Sequence, residues 1–527
     1  MYKVLDLFAG AGGLSLGFTK TGKYKISAAA ENDLNAIKTF SRNHKEALVI
    51  PDVVGYDFSK LNEEVGGIDI IIGGPPCQGF SNANRQSKAI VCANNSLVKE
   101  FFRAIDEIRP MAFVMENVGM LKSEIHRFYE VTNDGVDIKH LGITMIDDII
   151  PLSKRELNEI DILSIVQSRE KLTNVILPER LYTLLHVLYK NKGNKIRLDK
   201  YTKKNDVMII NQIEVFLAIT TDQFPELFNK ALRDIQDCLM RSQDISMYVE
   251  SLCLIIEYQK VLKAALEIYD NNITHEFEYN DNSKQLVAKV KSYSVIEYIN
   301  AVLGDEYEQI GMLVNARWYG VPQDRWRYII IGIRSDIIGK NDMPLLSEPQ
   351  HIPLITVNDA ILDIIDCKVS FIKDVLGVVM PTPKSTISDY AQKLRDVDLL
   401  YNHITTLTTP EAMKRFEALK EGENFHKLPK ELIESYEKPE RTQNTIYLRL
   451  DGNKYSGTVV NVRKSMWIHP KLNRALTIRE AARLQSFPDS FIFEGTKDSQ
   501  YQQVGNAVPP FMAEVIARKL LEHLPQI

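Results

Sequence analysis

The sequence predicts an α/β protein built on a doubly wound, mostly parallel sheet, and three observations lead to this expectation. Short apolar runs alternate with helical stretches over residues 1–120. Glycine-rich turns or acidic residues follow these runs, and the same pattern returns at residues 294–340, closing with RYIIIGIR. Strands that alternate with helices form parallel sheets, whose ligands bind at the carboxyl ends of the strands.

The predicted strands of the first segment share one pattern, an apolar run that ends at glycine or at a polar residue. Helical stretches such as residues 34–43 and 97–108 separate these runs. In chain order the runs are VLDLF (4–8), SAAAE (27–31), IDIIIGG (68–74) and AFVMEN (112–117).

Composition changes after the first segment. Residues 121–293 contain three Gly and three Pro and have long stretches with apolar residues at helical spacing, which predicts a mostly helical insertion. Residues 341–469 are irregular, with mixed short segments, and predict a smaller mixed domain. The expected segments are therefore 1–120, 121–293, 294–340, 341–469 and 470–527, the last of which is helical and returns to the first.

Size and composition are those of an ordinary globular protein of 527 residues. No apolar run is long enough to span a membrane, and the first residues enter a strand without a secretory signal. Five widely separated cysteines indicate free thiols in a reducing compartment, so we expect a cytoplasmic protein. The net charge is −5, but residues 441–474 contain seven Lys or Arg and one acid. From charge alone, a solvated face and a nucleic-acid surface both remain open for this stretch.

The turn after the first strand is a candidate cofactor site. Gly10, Gly12 and Gly13 let the backbone pass close to a ligand, and Glu31 follows about 20 residues later, a spacing that suits ribose hydroxyls. Asp52 is placed to accept from an adenine amine. A structural turn and a nucleotide dehydrogenase are the alternatives. The turn lacks the G-x-G-x-x-G order expected for pyrophosphate, which favours a cofactor without phosphates such as S-adenosyl-L-methionine.

Cys77 is the candidate nucleophile, because two prolines stiffen the chain before it in GGPPCQGFS (73–81). A lone cysteine after a strand is more often a small buried hydrophobe. Glu116 ends another predicted strand, and a thiol with an acid in one crevice indicates covalent catalysis with proton transfer. Arg325 and Arg327 precede a further strand, and alternation places both on one face. They are either surface charge or groups that bind a phosphate and a base oxygen.

With these residues the sequence resembles the DNA (cytosine-5) methyltransferases of prokaryotes. The similarity covers the whole framework of the family in its order, and the combination is very specific. The motifs are DLFAGAGGLSLGF (6–18), ENDLNA (31–36), GGPPCQGFS (73–81), ENV (116–118), QDRWR (323–327), RALTIREAARLQSFPDSF (474–491) and QVGNAVPP (503–510).

The resemblance implies a Rossmann-like methyltransferase sheet and a role for each catalytic residue. Cys77 would attack C6 of the cytosine, and Glu116 would hold and protonate N3. Arg327 would contact the base O2, and Arg325 the phosphate and the catalytic loop. A stacked base is out of reach of these groups, so the cytosine would flip out of the duplex.

The resemblance also implies an S-adenosylmethionine site, with residues 503–510 returning beside the first loop, and a recognition region at residues 341–469 that reads the DNA target. No metal ligands are expected. The S-adenosylmethionine site would contain Phe8, Ala9, Gly10, Gly12, Gly13, Glu31, Asn32, Asp52, Val53, Gly74, Pro76, Asn506 and Val508. DNA contacts are expected from Arg85, Gln86, Lys88, Arg449, Lys454, Arg463 and Lys464.

The sequence departs from the family pattern in two places. The arginine expected before the Asn-Ser-Leu element is absent from CANNSL (92–97), although we still hypothesise that residues 78–96 close over DNA. The distance from Glu116 to Gln323 is much longer than usual. The insertion between these two residues has three possible roles: a helical elaboration, a DNA clamp or a partner-binding module. A capping box of Thr477 and Glu480 predicts a scaffold helix behind the recognition region.

Two other functions use the same fold. A tRNA cytosine-5 methyltransferase would carry a Cys-Phe-Thr element, which the sequence lacks. A catalytically idle DNA-binding regulator would not need Cys77, Glu116, Arg325 and Arg327. We expect a monomer that acts on double-stranded DNA in the nucleoid. The first expected role is in a restriction-modification system with a companion restriction endonuclease, and the second is epigenetic marking.

Overall fold

The structure is a computed structural model. It describes residues 1–76, 95–118, 127–132, 138, 140–153, 162–220, 225–280, 285–372, 377–382, 386–434, 436 and 439–526.

The strands are named here in chain order. They are β1 Tyr2–Leu7, β2 Tyr24–Ala30, β3 Leu48–Ile50, β4 Ile70–Gly73, β5 Ala112–Asn117, β6 Arg127–Tyr129, β7 Ile146–Pro151, β8 His275–Asn280, β9 Gln285–Ser294, β10 Tyr307–Asn315, β11 Trp326–Arg334, β12 Val378–Val379 and β13 Leu399–Leu400.

A central sheet of seven strands in the described chain has the order β10-β11-β5-β4-β1-β2-β3. The strands β1 to β5 pair in parallel, and β11 is antiparallel to both of its neighbours. Since β1 lies between β2 and β4, the chain winds outward in both directions from β1. This order confirms the predicted doubly wound, mostly parallel sheet. The run of Ile70, Ile71 and Ile72 is fully buried, as expected for a parallel strand covered on both faces.

Helices cover the sheet, beginning with α1 Gly13–Lys20, α2 Leu34–Asn43, α3 Phe58–Glu64 and α4 Asn95–Ile108. Aspartates start two of them, because the Asp33 and Asp57 side chains accept hydrogen bonds from backbone N–H groups of the first turn. The later helices are Leu163–Val166, Arg169–Val175, Glu179–Asn191, Lys195–Thr220, Glu226–Met240, Val249–Asp270, Val295–Leu303, Ser335–Ile338, Val357–Ile361, Asp389–Leu394, Pro410–Ala418, Lys430–Ile433, Val462–Ser465, Ile478–Leu484, Lys497–Asn506 and Pro510–Leu521. Short 3-10 helices cover Ile245–Tyr248, Gly304–Glu306, Ala316–Tyr319, Leu362–Ile364, Phe425–Lys427 and Pro439–Arg441.

The described residues divide into two compact units. The described residues of the first lie within Met1–Phe80, Asn94–Ser123 and Val302–Ile527, and those of the second within Glu124–Ala301. None of the helices in the described ranges is both long and apolar enough to cross a lipid bilayer.

The second unit combines helices with a sheet. Its helices bury a common apolar core, to which Leu185, Ile213, Leu232 and Ile256 contribute with no exposed surface. The strand β9 pairs antiparallel with β6, β7 and β8 in the described residues. The sequence analysis did not predict this sheet, because helical periodicity dominates the segment and hides the shorter strand patterns beside it.

The helix Ile478–Leu484 is buried along its whole length in the first unit. The predicted capping box of Thr477 and Glu480 is confirmed, with both reciprocal hydrogen bonds present. Two buried arginines extend from this helix, and each has partners: Arg483 Nη2 lies 2.5 Å from Asp489 Oδ2, and Arg479 donates to three backbone carbonyls. Buried charge requires such pairing. The helix therefore holds the irregular residues 341–469 against the rest of the unit.

Candidate active site

The carboxyl ends of the five parallel strands are aligned across the sheet. Residues in register at one edge place whatever follows them in the same crevice, the usual ligand position of open α/β sheets. The register runs through Ile50, Ala30, Leu7, Gly73 and Met115.

The glycine turn after β1 is tied to the end of β2 by Glu31. The Gly10 N–H donates to Glu31 Oε2 at 2.8 Å, while Oε1 accepts from the N–H groups of Asn32 and Asp33. Phe8 has φ of 60°, a left-handed conformation that bulky residues rarely adopt and that clusters at ligand sites. The turn and the carboxylate therefore form one preorganised surface at the edge of the sheet.

The segment around Val508 packs against the start of α1. A Cβ atom on Gly13 would lie 2.4 Å from the Val508 carbonyl oxygen, and one on Gly17 would lie 2.3 Å from Ala513 Cβ. Backbone contacts this close are open only to glycine. Residues 503–510 therefore return beside the first loop, as expected.

We predict that Gly13→Ala destabilises the protein by about 1–3 kcal/mol, because the added methyl group must displace the backbone at Val508. Urea denaturation measures the effect. Gly193→Ala is the matched control, since its Cβ would meet nothing within 4 Å. Equal stability of the two variants would contradict the prediction.

Glu116 and Arg327 form an ion pair at the end of β5. Arg327 Nε lies 2.5 Å from Glu116 Oε1, and the two side chains are 14% and 13% exposed. The pairing follows from register, because Ile329 lies opposite Glu116 and Arg327 is two residues away on the same face. A Cβ on Gly74 would lie 3.0 Å from Glu116 Oε2, so the glycine gives this carboxylate its room. Cys77 follows three positions later and lies outside the described residues.

Arg325 has a different place from the one implied by the resemblance. Its side chain is fully buried, and it donates to the carbonyl oxygens of Val459, Gly505 and Ala507, each at 3.0 Å. Burial, with repulsion from Arg327, lowers its pKa well below the usual value. A guanidinium that is used in this way has no access to a phosphate. In this structure Arg325 is a positioning residue that joins three segments.

We predict that Arg325→Met lowers the free energy of unfolding by at least about 3 kcal/mol, because three buried carbonyl groups lose their donor. The free energy of unfolding of Arg325→Lys should lie between those of the wild type and Arg325→Met, since an ammonium group donates hydrogen bonds but lacks the planar fork of a guanidinium group. Urea denaturation of the three proteins measures the order. A methionine variant as stable as the wild type would refute the role as a link.

The other predicted cofactor residues differ in exposure. Asp52 is exposed after β3, and its Oδ1 accepts from the Val54 N–H at 3.0 Å. Asn506 is exposed at the end of its helix, where Oδ1 accepts from Gln502 Nε2. Partly exposed are Phe8, Ala9, Gly10, Glu31, Gly74 and Pro76; Asn32 is exposed; Gly12, Gly13, Val53 and Val508 are buried.

Two titratable residues beneath the glycine turn were missed by the sequence analysis. Burial raises the pKa of Asp6 to about 7, although Ser15 Oγ donates to the carboxylate at 2.5 Å. His44 Nε2 lies 3.3 Å from the Gly12 carbonyl oxygen, and burial lowers the pKa of His44 to about 4. A polar residue within the apolar run VLDLF was the available signal for Asp6. The position of His44 four residues after Phe40 on α2 was the signal for His44.

The predicted DNA contacts of the recognition region are only partly at the surface. Arg449 is buried and donates to the carbonyl oxygens of Phe416, Leu419 and His469, so its expected DNA contact does not fit the structure. Lys454 is exposed beside Asp451. Arg463 and Lys464 both lie near Asp498, at 2.9 and 3.9 Å. Arg85, Gln86, Lys88 and most of the hypothesised closing loop lie outside the described residues.

Comparison with known proteins gives a consistent result. The relatives include the type II methyltransferase M.DdeI of Desulfomicrobium norvegicum, 26% identical over 98% of this chain and 88% of that protein. Another is the type II methyltransferase M.AgeI of Thalassovita gelatinovora, 24% identical over 98% of this chain and 99% of that protein. A prophage-encoded E. coli protein, described as a DNA modification methyltransferase, shares the fold with a TM-score of 0.53 at 20% identity, over 99% of both chains.

The family model described as C-5 cytosine-specific DNA methylase matches residues 2–136 and 279–522. These two segments contain Glu31, Glu116, Arg327 and Val508, and they leave out most helices of the second unit. Because the match spans well over half of the chain, the protein belongs to the C-5 cytosine-specific DNA methylase family.

Proposed function

We propose that the protein transfers a methyl group from S-adenosylmethionine to C5 of cytosine in a specific duplex DNA sequence, through a covalent bond between Cys77 and C6. The observation that carries the proposal is the Glu116–Arg327 pair, which lies beside Gly74 at the carboxyl edge of the sheet. Membership of the C-5 cytosine-specific family supports the reaction and the substrate.

The residues at the glycine turn fit S-adenosylmethionine. A carboxylate offers about four lone-pair positions, and the backbone donors around Glu31 use three, which leaves one for a ribose hydroxyl. The exposed Asp52 carboxylate would accept from the adenine amine, and Asn506 would approach from the returning segment. When bound, the cofactor supplies an electrophilic methyl group on its sulfonium.

The catalytic residues would act on a cytosine that has left the base stack. The Cys77 thiolate would bond to C6 while Glu116 holds and protonates N3, so that C5 gains nucleophilic character. Arg327 would hold the carboxylate in place and contact the base O2. Methylation of C5 would leave the cofactor as a neutral thioether. Loss of the C5 proton to solvent would then restore the C5–C6 double bond as the C6–S bond breaks, so that Cys77 leaves as the thiolate and N3 returns its proton to Glu116.

We further propose a role in restriction-modification, since the relatives are named type II methyltransferases. The protein would then act as a monomer on double-stranded DNA in the nucleoid, and a companion endonuclease would cut the same sequence when it is unmethylated. Epigenetic marking is the second role of such an enzyme.

Expression in a host without DNA methylation, followed by base-resolution sequencing of 5-methylcytosine, tests the proposal. We expect 5-methylcytosine in one short sequence context, and none in cells that express Cys77→Ser. DNA without 5-methylcytosine, despite folded protein that binds S-adenosylmethionine, would overturn it. Methylation confined to RNA would instead favour the tRNA enzyme.

A further inference from the structure

A strongly basic segment lies in the second unit, outside the matched family segments. Residues 190–204 contain seven Lys or Arg and one acid, in a chain whose net charge is −5. The segment spans the turn between the helices Glu179–Asn191 and Lys195–Thr220 and the first turns of the second helix. Such local asymmetry of charge is typical of a surface that binds a polyanion.

Three of the lysines of this helix lie away from its buried side. Leu198, Ile209 and Ile213 have no exposed surface and belong to the core of the unit. At 3.6 residues per turn, Lys200 and Lys204 point away from these buried residues, and Lys203 lies on the same side of the helix as the other two lysines. All three lysines are exposed. We call Lys200, Lys203 and Lys204 the lysine face.

The lysine face has no carboxylate partner among the described residues, in contrast to neighbouring cations. Lys195 Nζ lies 2.5 Å from Asp244 Oδ2, and Lys192 Nζ lies 3.0 Å from Cys253 Sγ and 4.0 Å from the ring centre of Tyr189. The lysine face does not take part in packing the helix against the core of the unit.

The positions of these lysines work against helix stability. Lys200 and Lys204 are four residues apart, where like charges repel. Lys203 has Asp199 and Asp206 at the spacings that favour ion pairs, whereas Lys200 and Lys204 have no acid three or four residues away. An external anion is therefore the better explanation of the positive charge at Lys200 and Lys204.

We infer that the lysine face binds the phosphate backbone of duplex DNA. This inference rests on the proposed function, which makes DNA the polyanion that the protein meets. Ammonium groups on flexible chains bind phosphates as point charges and carry no sequence information, so the contact adds affinity rather than target choice. The inference gives the insertion a role in binding DNA.

The test compares two triple variants of the full chain. One replaces the lysine face, Lys200→Gln, Lys203→Gln and Lys204→Gln. The matched control replaces three exposed lysines elsewhere in the same unit, Lys171→Gln, Lys230→Gln and Lys291→Gln. Affinity for a fluorescent 40-base-pair duplex is measured by anisotropy from about 50 to 200 mM NaCl, the range over which phosphate contacts change affinity strongly. Thermal melts confirm that both variants fold.

Each phosphate contact contributes about 0.9 to the slope of log affinity against log salt, so three contacts contribute about 2.7. We expect the lysine-face variant to have a slope shallower by roughly 2–3 and an affinity at least about tenfold weaker at 100 mM salt. The control variant and a Lys→Arg triple at the lysine face should keep the wild-type slope. A wild-type slope in the Gln variant overturns the inference.

Further measurements separate this inference from the proposed function and from other occupants. With saturating DNA at low salt, the lysine-face variant should methylate at the wild-type kcat. If the wild type methylates no cytosine but the slopes still differ, the proposed reaction fails and the DNA contact stands. Binding to phosphatidylserine vesicles that is lost in the Gln variant, with DNA affinity unchanged, overturns the inference in favour of a lipid surface.

Discussion

Cys77→Ser is expected to abolish DNA methylation and to leave S-adenosylmethionine binding unchanged. In the proposed reaction the Cys77 thiolate is the nucleophile, and a serine hydroxyl in the same place stays protonated at neutral pH. Removing a catalytic nucleophile can cost on the order of 10⁶ in turnover. Transfer of a radioactive methyl group to DNA measures the loss, and calorimetric titration with S-adenosylmethionine measures cofactor binding.

The other cysteines supply the control for this substitution. Burial raises the pKa of Cys238 and of Cys367 to about 11, so neither provides a thiolate at neutral pH. Cys253 is half-buried beside Lys192, and Cys253→Ser is expected to retain wild-type methylation. Methylation that survives in Cys77→Ser would remove Cys77 from the mechanism.

Glu116→Gln is expected to lower kcat by about 10²–10⁴, the usual contribution of a general acid. The amide keeps the size of the side chain but cannot transfer a proton to N3, and it leaves Arg327 without its charge partner. Single-turnover methyl transfer at saturating DNA and cofactor measures the chemical step. The reduction should therefore appear in kcat with little change in cofactor affinity.

Glu514→Gln is the matched control for the loss of an ion pair. Glu514 Oε1 lies 2.6 Å from Arg518 Nη2 on the surface of the helix Pro510–Leu521. We expect this variant to retain full activity, since a surface pair contributes little to stability. If Glu116→Gln were as active as Glu514→Gln, proton transfer by Glu116 would not be part of the reaction.

Most of the fold was predictable from local patterns of apolar residues. Strands buried on both faces appear as continuous apolar runs, so the strands around Ile70–Ile72 and Val114 could be found without a structure. The three-residue strand β3 is too short to show a period of its own. The sheet around β9 was missed because the helical periodicity of the second unit hides its strand patterns, and because helices separate β6 and β7 from β9 in sequence.

The site was predictable where register alone brings residues together. Glu116 and Arg327 lie on neighbouring strands, and alternation along each strand places them on the same face. The family resemblance implied a phosphate contact for Arg325, and Arg449 was expected to contact DNA as a basic residue of the recognition region. Their actual partners are backbone carbonyls of distant segments, such as Val459 for Arg325, and nothing in the local sequence marks a carbonyl group as an acceptor.

The packing of Val508 on Gly13 has a consequence for the time at which the enzyme becomes active during synthesis. A ribosome adds about 5–20 residues per second, so Val508 is made roughly 25–100 s after α1. Until then the glycine turn lacks the wall that the Val508 backbone provides. If the turn binds the cofactor as proposed, a nascent chain would therefore fold its early strands before its cofactor site is complete.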